Sequence, residues 1–182
     1  MRRLAISLIV LLTAVWAFAD GRIKVACVGN SVTWGYGLTN REAECYPVQL
    51  QRMLGEKYDV RNFGHSGSTL LSHGHRPYID QQEYKEALAF KADRVIIHLG
   101  LNDTDPRNWP EYAEEFNADY IKLVNSFRRV NPKAQIWICL MSPIFERHPR
   151  FESGTRDWHT LIQQHIKQVA VAENLPLIDL YT

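Results

Sequence analysis

A serine, a glycine and an asparagine each follow a strand-like segment of this sequence, among small and polar residues. Ser31 comes after the run 23–28, and Gly67 and Asn102 occupy similar places after the next two runs. A serine that attacks an ester carbonyl needs donors for the oxyanion that forms. The N–H groups of Ser31 and Gly67 and the amide of Asn102 are such donors. Together the three runs indicate acyl transfer, although each one alone also suits an ordinary turn.

Strand-like and helix-like segments alternate along the rest of the chain. The predicted strands are 23–28, 58–63, 94–99, 135–141 and 175–180. The predicted helices are 46–54, 80–90 with Asp80 and Glu83 as a capping box, a long helix opened by Pro110 that runs to about 130, and about 155–173. This alternation predicts a three-layer α/β/α fold with a five-stranded parallel sheet. Ligands bind beyond the carboxyl ends of such strands, where the three runs would meet.

Composition and charge fit one globular domain. The chain has 182 residues, 46% of them hydrophobic and 23% charged, with a formal net charge of +1. This size suits a single domain with its own core. The balanced charge gives no sign of a nucleic-acid partner.

The first residues have the features of a secretory signal peptide. Arg2 and Arg3 precede the apolar stretch 4–18, and Ala17-Phe18-Ala19 supplies a small-x-small cleavage pattern. An uncleaved anchor is the alternative, but the stretch is shorter than the roughly 20 residues that span a bilayer. We therefore expect a signal peptide at 1–19, a hydrolase domain at 20–182, and a secreted or periplasmic product with no membrane attachment after cleavage.

Cysteines and paired histidines give no disulfide or metal signal. The three cysteines, Cys27, Cys45 and Cys139, leave at least one thiol unpaired. We expect no structural disulfide and no cysteine nucleophile. His73 and His75 alternate in one loop, but two ligands do not complete a tetrahedral metal site. No phosphate-binding loop or GxGxxG motif is present, so we expect neither a metal nor a cofactor.

Three ordered blocks resemble the SGNH (GDSL-type) hydrolase superfamily. These blocks are GNSVTWG, NFGHSGST and LGLND. The resemblance implies a flavodoxin-like SGNH fold, Ser31 as the nucleophile, Gly67 and Asn102 as oxyanion donors, and Asp103 as a structural member of the site. Longer stretches resemble the branch of sialate O-acetylesterases and related carbohydrate esterases.

The chain departs from this family pattern in two places. Asn30 stands where the family has aspartate next to the nucleophile. The family's D-x-x-H motif, whose histidine is the general base, is absent, and Asp157-Trp158-His159 has the wrong spacing. We interpret the sequence as truncated before that block, so that the domain lacks its C-terminal helix and leaves an apolar sheet face uncovered. If another histidine acts instead, His148 is the first candidate.

Aromatic and basic residues near the candidate site suggest a class of substrate. Trp34 and Tyr36 are candidates to stack on a sugar ring, and Arg147, His148 and Arg150 to meet an acidic sugar. We see no broad apolar loop near the nucleophile, which favours acetyl groups. The resulting hypothesis is a secreted esterase that removes acetyl groups from carbohydrates such as sialic acids or polysaccharides. The alternatives are an inactive or glycan-binding module, and a lysophospholipase or thioesterase of the same superfamily.

Overall fold

Five parallel strands form one sheet in a computed structural model, which describes residues 21–144 and 155–182. The strands are β1 (Ile23–Gly29), β2 (Tyr58–Gly64), β3 (Arg94–His98), β4 (Gln135–Cys139) and β5 (Leu177–Ile178). Their order across the sheet is β2-β1-β3-β4-β5, and every neighbouring pair is parallel. The predicted α/β fold with a five-stranded parallel sheet is therefore confirmed.

Helices connect the strands in the predicted alternation. They are α1 (Ser31–Trp34), α2 (Arg41–Glu44), α3 (Tyr46–Leu54), α4 (Gln82–Phe90), α5 (Trp109–Tyr112), α6 (Phe116–Val130) and α7 (Thr155–Ala172). The bounds of α3 are those predicted, and Gly55 ends it at a φ of 75°, where glycine is favoured. None of the helices within the described ranges is both long and apolar enough to cross a membrane.

Two helix starts differ from the prediction. Asp80 belongs to a short 3-10 turn, so the residue that precedes α4 is Gln81, whose side chain makes no capping bond. The long helix predicted from Pro110 is divided into α5, a 3-10 turn and α6, because Tyr112 leaves the helical region at a φ of −117°. At this break the rings of Trp109 and Phe116 pack edge to face, 5.6 Å apart.

The two faces of the sheet are covered unequally. Helices α4, α6 and α7 lie on one face and contact one another as neighbours. Alternate strand residues such as Ile97 and Ile138 are fully buried in one core with Phe127 and Ile162 from these helices. On the other face, α1 and α3 pack against the β1 and β2 side of the sheet.

An apolar groove of about 500 Å³ occupies the rest of that second face. It extends from α3 across β3 and β4 to β5, and its lining includes Leu50, Met53, Ile96, Cys139, Ile178 and Leu180. Met53 is 83% exposed and Leu180 43% exposed. Apolar side chains from three strands therefore face an open groove on this side of the described structure.

Candidate active site

Ser31 begins a helix that is pressed against the end of the sheet. A Cβ on Gly29 would come within 2.0 Å of the Thr33 hydroxyl oxygen, and one on Gly64 within 2.3 Å of the Trp34 nitrogen. These two strand-end glycines therefore let α1 approach closely. Asn30 precedes the helix, and its Oδ1 accepts a hydrogen bond from Val32 N at 3.0 Å. The chain turns sharply here and leaves Ser31 partly exposed at the carboxyl edge of the sheet.

Asn30 performs the helix-capping role that the family's aspartate could also fill. Its side chain is fully buried, and its Nδ2 has no hydrogen-bond partner in the described structure. A buried donor without an acceptor costs about 1–3 kcal/mol. The cap itself is intact with asparagine at this position.

Gly67 lies in the loop that follows β2. The loop starts at the sheet edge, where His65 N donates to the carbonyl of Gly29 at 2.9 Å. Gly67 has a φ of +82°, in the left-handed region, and a Cβ there would approach the guanidinium of Arg76 to 2.9 Å. Both conformation and space therefore favour glycine at this position.

The loop after β3 holds the Gly67 loop through two side chains. Asn102 is 4% exposed, and its Nδ2 donates to the carbonyl of Ser68 at 2.9 Å. The carboxylate of Asp103, fully buried, accepts from Leu70 N at 3.0 Å and from Leu71 N at 2.8 Å. We call these three bonds the loop clamp. The clamp joins the second and third blocks through Asn102 and Asp103.

Burial raises the pKa of Asp103 to about 6, against the opposing effect of its backbone hydrogen bonds to Leu71 and Leu70. The folded-state pKa is above the unfolded value, so the contribution of this group to stability is fully present below about pH 4. It is lost as the pH rises through about 6.

Replacement of Asp103 by alanine is expected to destabilise the fold, because two buried N–H groups lose their acceptor at about 1–3 kcal/mol each. The loss should be greatest near pH 4 and smaller above about pH 7, where the wild type already carries the cost of a buried charge. Urea unfolding of both proteins across this range measures the difference. Asp93→Ala is the control, because Asp93 also accepts a backbone N–H, from Lys24 at 2.8 Å, but at an exposed position. The prediction would be contradicted if the difference in unfolding free energy between wild type and Asp103→Ala grew as the pH rises.

Sequence analysis missed Asn108 as a member of this network. It is fully buried, its Nδ2 donates to the carbonyl of Asn102 at 2.9 Å, and its Oδ1 accepts from His75 N at 2.9 Å. Asn108 thus ties the loop of Asn102 to the loop of His75. No motif surrounds it in the sequence, and the signal appears only in three dimensions.

The described histidines all have partners other than the Ser31 hydroxyl. The pairs are His65 with Ser68, His73 with Glu115, His75 with Asn108, His98 with Ser142, His159 with Ser142, and His165 with Asn117. His98 is 1% exposed, and burial lowers its pKa to about 4. Within residues 21–144 and 155–182, no histidine is therefore hydrogen-bonded to the Ser31 hydroxyl. His148, together with Arg147 and Arg150, lies outside the described residues.

The other candidates from the sequence are the three cysteines, Trp34 and groups that could bind a metal. Cys27, Cys45 and Cys139 are buried free thiols, and burial raises the pKa of Cys27 and of Cys139 to about 12, too high for a nucleophile at neutral pH. Trp34 has the guanidinium of Arg41 over its ring at 4.3 Å, and its contact with a sugar stays a prediction. In the part of the chain that the structure describes, no group of three or more acidic, histidine or cysteine side chains is placed to hold a metal ion.

Most of the chain matches a known protein family. The model of the GDSL-like lipase/acylhydrolase family matches residues 27–182, which include all three blocks. The chain belongs to this family. The family is described as one of lipases and acylhydrolases, which is the class of reaction that the sequence blocks indicate.

Relatives of this GDSL-like chain include carbohydrate esterases. It is 46% identical over 109 residues to an acetylxylan esterase from Xylanibacter ruminicola; the match covers 60% of this chain and 22% of that protein. The chain therefore spans about a fifth of the length of this relative.

Solved structures support the fold assignment. A carbohydrate acetylesterase from Sinorhizobium meliloti aligns with a TM-score of 0.67 at 19% identity, over 87% of this chain and 84% of that one. A family two carbohydrate esterase from Clostridium thermocellum, in complex with cellohexaose, also aligns with a TM-score of 0.67. The identity is 18%, and the alignment covers 88% of this chain and 55% of that one. At these identities the likeness establishes the fold alone.

Proposed function

We propose that this domain removes acetyl groups from carbohydrate esters, with Ser31 as the nucleophile. The observation that carries the proposal is the loop clamp, which holds the Gly67 loop against Asn102. The clamp lies at the carboxyl edge of the sheet, where Ser31 follows the end of β1. A rigid arrangement of donors beside a nucleophile is what acyl transfer requires. The carbohydrate acetyl ester is suggested by the acetylxylan esterase relative, whose length the chain covers only in part.

In the proposed reaction, Ser31 Oγ bonds to the carbonyl carbon of the acetyl group and gives its proton to a general base. The carbonyl oxygen becomes an oxyanion, which the N–H groups of Ser31 and Gly67 and the amide of Asn102 stabilise. The intermediate collapses, the sugar oxygen leaves and takes up the proton, and an acetyl-serine remains. Water then attacks the acetyl-serine, which releases acetate and restores the serine.

The general base is proposed to come from a histidine beyond the described residues. The family resemblance places it in a D-x-x-H motif downstream of the last strand, and we propose that this segment follows Thr182 in the whole protein. The open groove supports the proposal, because its apolar lining offers a surface for a further helix. His148 is the alternative source.

We further propose that residues 1–19 direct the protein out of the cytoplasm. The basic start, apolar stretch and small-x-small pattern support export. An extracellular or periplasmic esterase would meet polysaccharides or sialylated glycans as substrates. Sialate esters remain the second candidate substrate within the same chemistry.

A panel of esters tests the proposed function. The whole protein, without residues 1–19, is given acetylated xylan, an O-acetylated sialic acid, and p-nitrophenyl esters of increasing acyl length. We expect acetate release from acetylated xylan and a steep loss of rate beyond acetyl and propionyl. Faster hydrolysis of long acyl chains would favour the lipase or thioesterase alternative.

Asn102→Ala is expected to lower kcat far more than it raises KM, because an oxyanion contact forms chiefly in the transition state. Removing one such donor costs about 2.7–4 kcal/mol, or roughly 10²–10³-fold in kcat. Steady-state kinetics with p-nitrophenyl acetate measure the effect. Asn125→Ala on α6, at an exposed position away from the strand ends, is the control. A change confined to KM would show that Asn102 binds the substrate instead.

A non-catalytic glycan-binding module is the second candidate function. The observation that favours it is that no described histidine is hydrogen-bonded to Ser31. Such a module would bind the glycan without releasing acetate. Binding without turnover by the whole protein would select it.

A further inference from the structure

We propose that Arg76 binds a carboxylate of the substrate, so that the preferred ester belongs to an acidic, uronate-bearing glycan. This inference rests on the proposed function and adds the chemical class of the sugar. It concerns a residue that lies outside the three sequence blocks.

The position of Arg76 brings a positive charge to the proposed oxyanion site. The Nη1 atom would lie 2.9 Å from a Cβ built on Gly67, and Cζ would lie 3.6 Å from it. The same Nη1 donates to the carbonyl of Ser66 at 3.2 Å. The guanidinium therefore sits beside the glycine whose N–H is assigned to the oxyanion, within reach of groups that flank a bound ester.

The guanidinium of Arg76 has no carboxylate partner among the described residues. By contrast, Arg61, Arg107 and Arg128 each form an ion pair, with Asp59, Asp105 and Glu173. A guanidinium has five N–H donors in a planar fork. Among the described residues, the guanidinium of Arg76 makes one hydrogen bond, to the carbonyl of Ser66. The remaining donors are suited to a bidentate bond with a carboxylate.

Three acidic groups interact with residues 70–75, just before Arg76 in the chain. Glu115 is paired with His73 at 2.7 Å, Asp105 with Arg107 at 2.8 Å, and Asp103 is bound to two backbone N–H groups. The sequence 72–77, Ser-His-Gly-His-Arg-Pro, contains no acid. An incoming carboxylate would therefore meet a positive charge that no described acid neutralises.

The backbone around Arg76 is held in place. Thr69 N donates to the carbonyl of Arg76 at 2.9 Å, and Pro77 forms a bridge with Thr69. Thr69 belongs to the loop that the clamp secures. The base of the arginine side chain is thus fixed relative to Gly67, which reduces the entropy lost when a ligand binds.

Calorimetric titration tests the inference without relying on turnover. The probes are a xylo-oligosaccharide with one glucuronate branch and the same oligosaccharide with its carboxyl group reduced to an alcohol. We expect the whole protein to bind the acidic probe about tenfold or more tightly than the reduced one, which corresponds to one charge-assisted contact of about 1.4 kcal/mol or more. Arg76→Gln should remove this preference, and Arg76→Lys should keep part of it. Equal affinity of the wild type for both probes would overturn the inference.

Matched controls separate the other outcomes. Arg129→Gln removes one exposed positive charge near the end of α6 and should keep the preference. If Arg76→Gln keeps the wild-type preference for the acidic probe, another group recognises the carboxylate, and the inference is overturned. If wild type hydrolyses the neutral esters but binds the acidic probe no more tightly than the reduced one, the inference alone fails. If it hydrolyses no ester, the proposed function fails, whatever the titration shows.

Discussion

Ser31→Ala is expected to abolish the release of acetate by the whole protein while the fold stays intact. Ser31 supplies the atom that forms the covalent intermediate, and no neighbouring group can take its place. Loss of the nucleophile in serine hydrolases with a triad costs up to about 10⁶-fold in kcat, so only a trace should remain. Ser31 is partly exposed and heads a short helix whose cap is the side chain of Asn30, so the change leaves the cap in place.

The measurement is acetate release together with thermal unfolding. Ser126→Ala is the matched control: its hydroxyl bonds to the carbonyl of Leu123 within α6, far in the chain from the three loops. It should keep the wild-type rate. Wild-type turnover by Ser31→Ala would remove this residue from the mechanism and with it the assignment of the first block.

Polypeptide that extends past Thr182 to a D-x-x-H motif is expected to be much more active than residues 20–182 alone. General base action contributes about 10²–10⁴-fold, and no described histidine is bonded to Ser31. The extended form should also be more stable. Its added segment would bury groove side chains such as Met53 and Leu180, at about 1.5–3 kcal/mol for each one fully buried.

Expression of both lengths gives the test, with acetate release and melting temperature as the two readouts. A third form, in which the histidine of the downstream motif is replaced by alanine, separates the effects: it should be as stable as the extended form and nearly as inactive as the short one. If residues 20–182 match the extended form in rate, the base lies within them, and His148→Ala is the next variant to make.

The sequence was sufficient to predict the features that depend on local pattern. The central strands β1, β3 and β4 are largely apolar runs, as buried parallel strands are, whereas the edge strand β2 is interrupted by Asp59, Arg61 and Asn62. All five strands were predicted, and the carboxyl ends of the first three located Ser31, Gly67 and Asn102 at one edge. The start of α4 was predicted wrongly because the acidic pattern at Asp80 fits a 3-10 turn as well as a helix cap. Whether such a segment forms a 3-10 turn or the start of an α-helix depends on its tertiary contacts.

Other features depend on residues that are far apart in the chain. Asn108 bonds to His75, 33 positions away, and no local spacing connects the two. Arg76 became informative once Gly67 was seen beside it. The division of the predicted helix at Tyr112 likewise has no signature in the hydrophobic period, since Trp109, Phe116 and Tyr120 continue one helical spacing in the sequence.

The loop clamp has a consequence for how the enzyme loses its activity on heating. Leu70 and Leu71, whose N–H groups bond to Asp103, are also core residues, 2% and 0% exposed. The loop of Gly67 is thus not a separate flap over the protein: it cannot loosen unless the core itself opens. Exchange of these two amide protons with solvent then requires unfolding of the whole domain. Thermal inactivation and melting should accordingly be one cooperative event, in contrast to enzymes whose active-site loops melt before the rest of the chain.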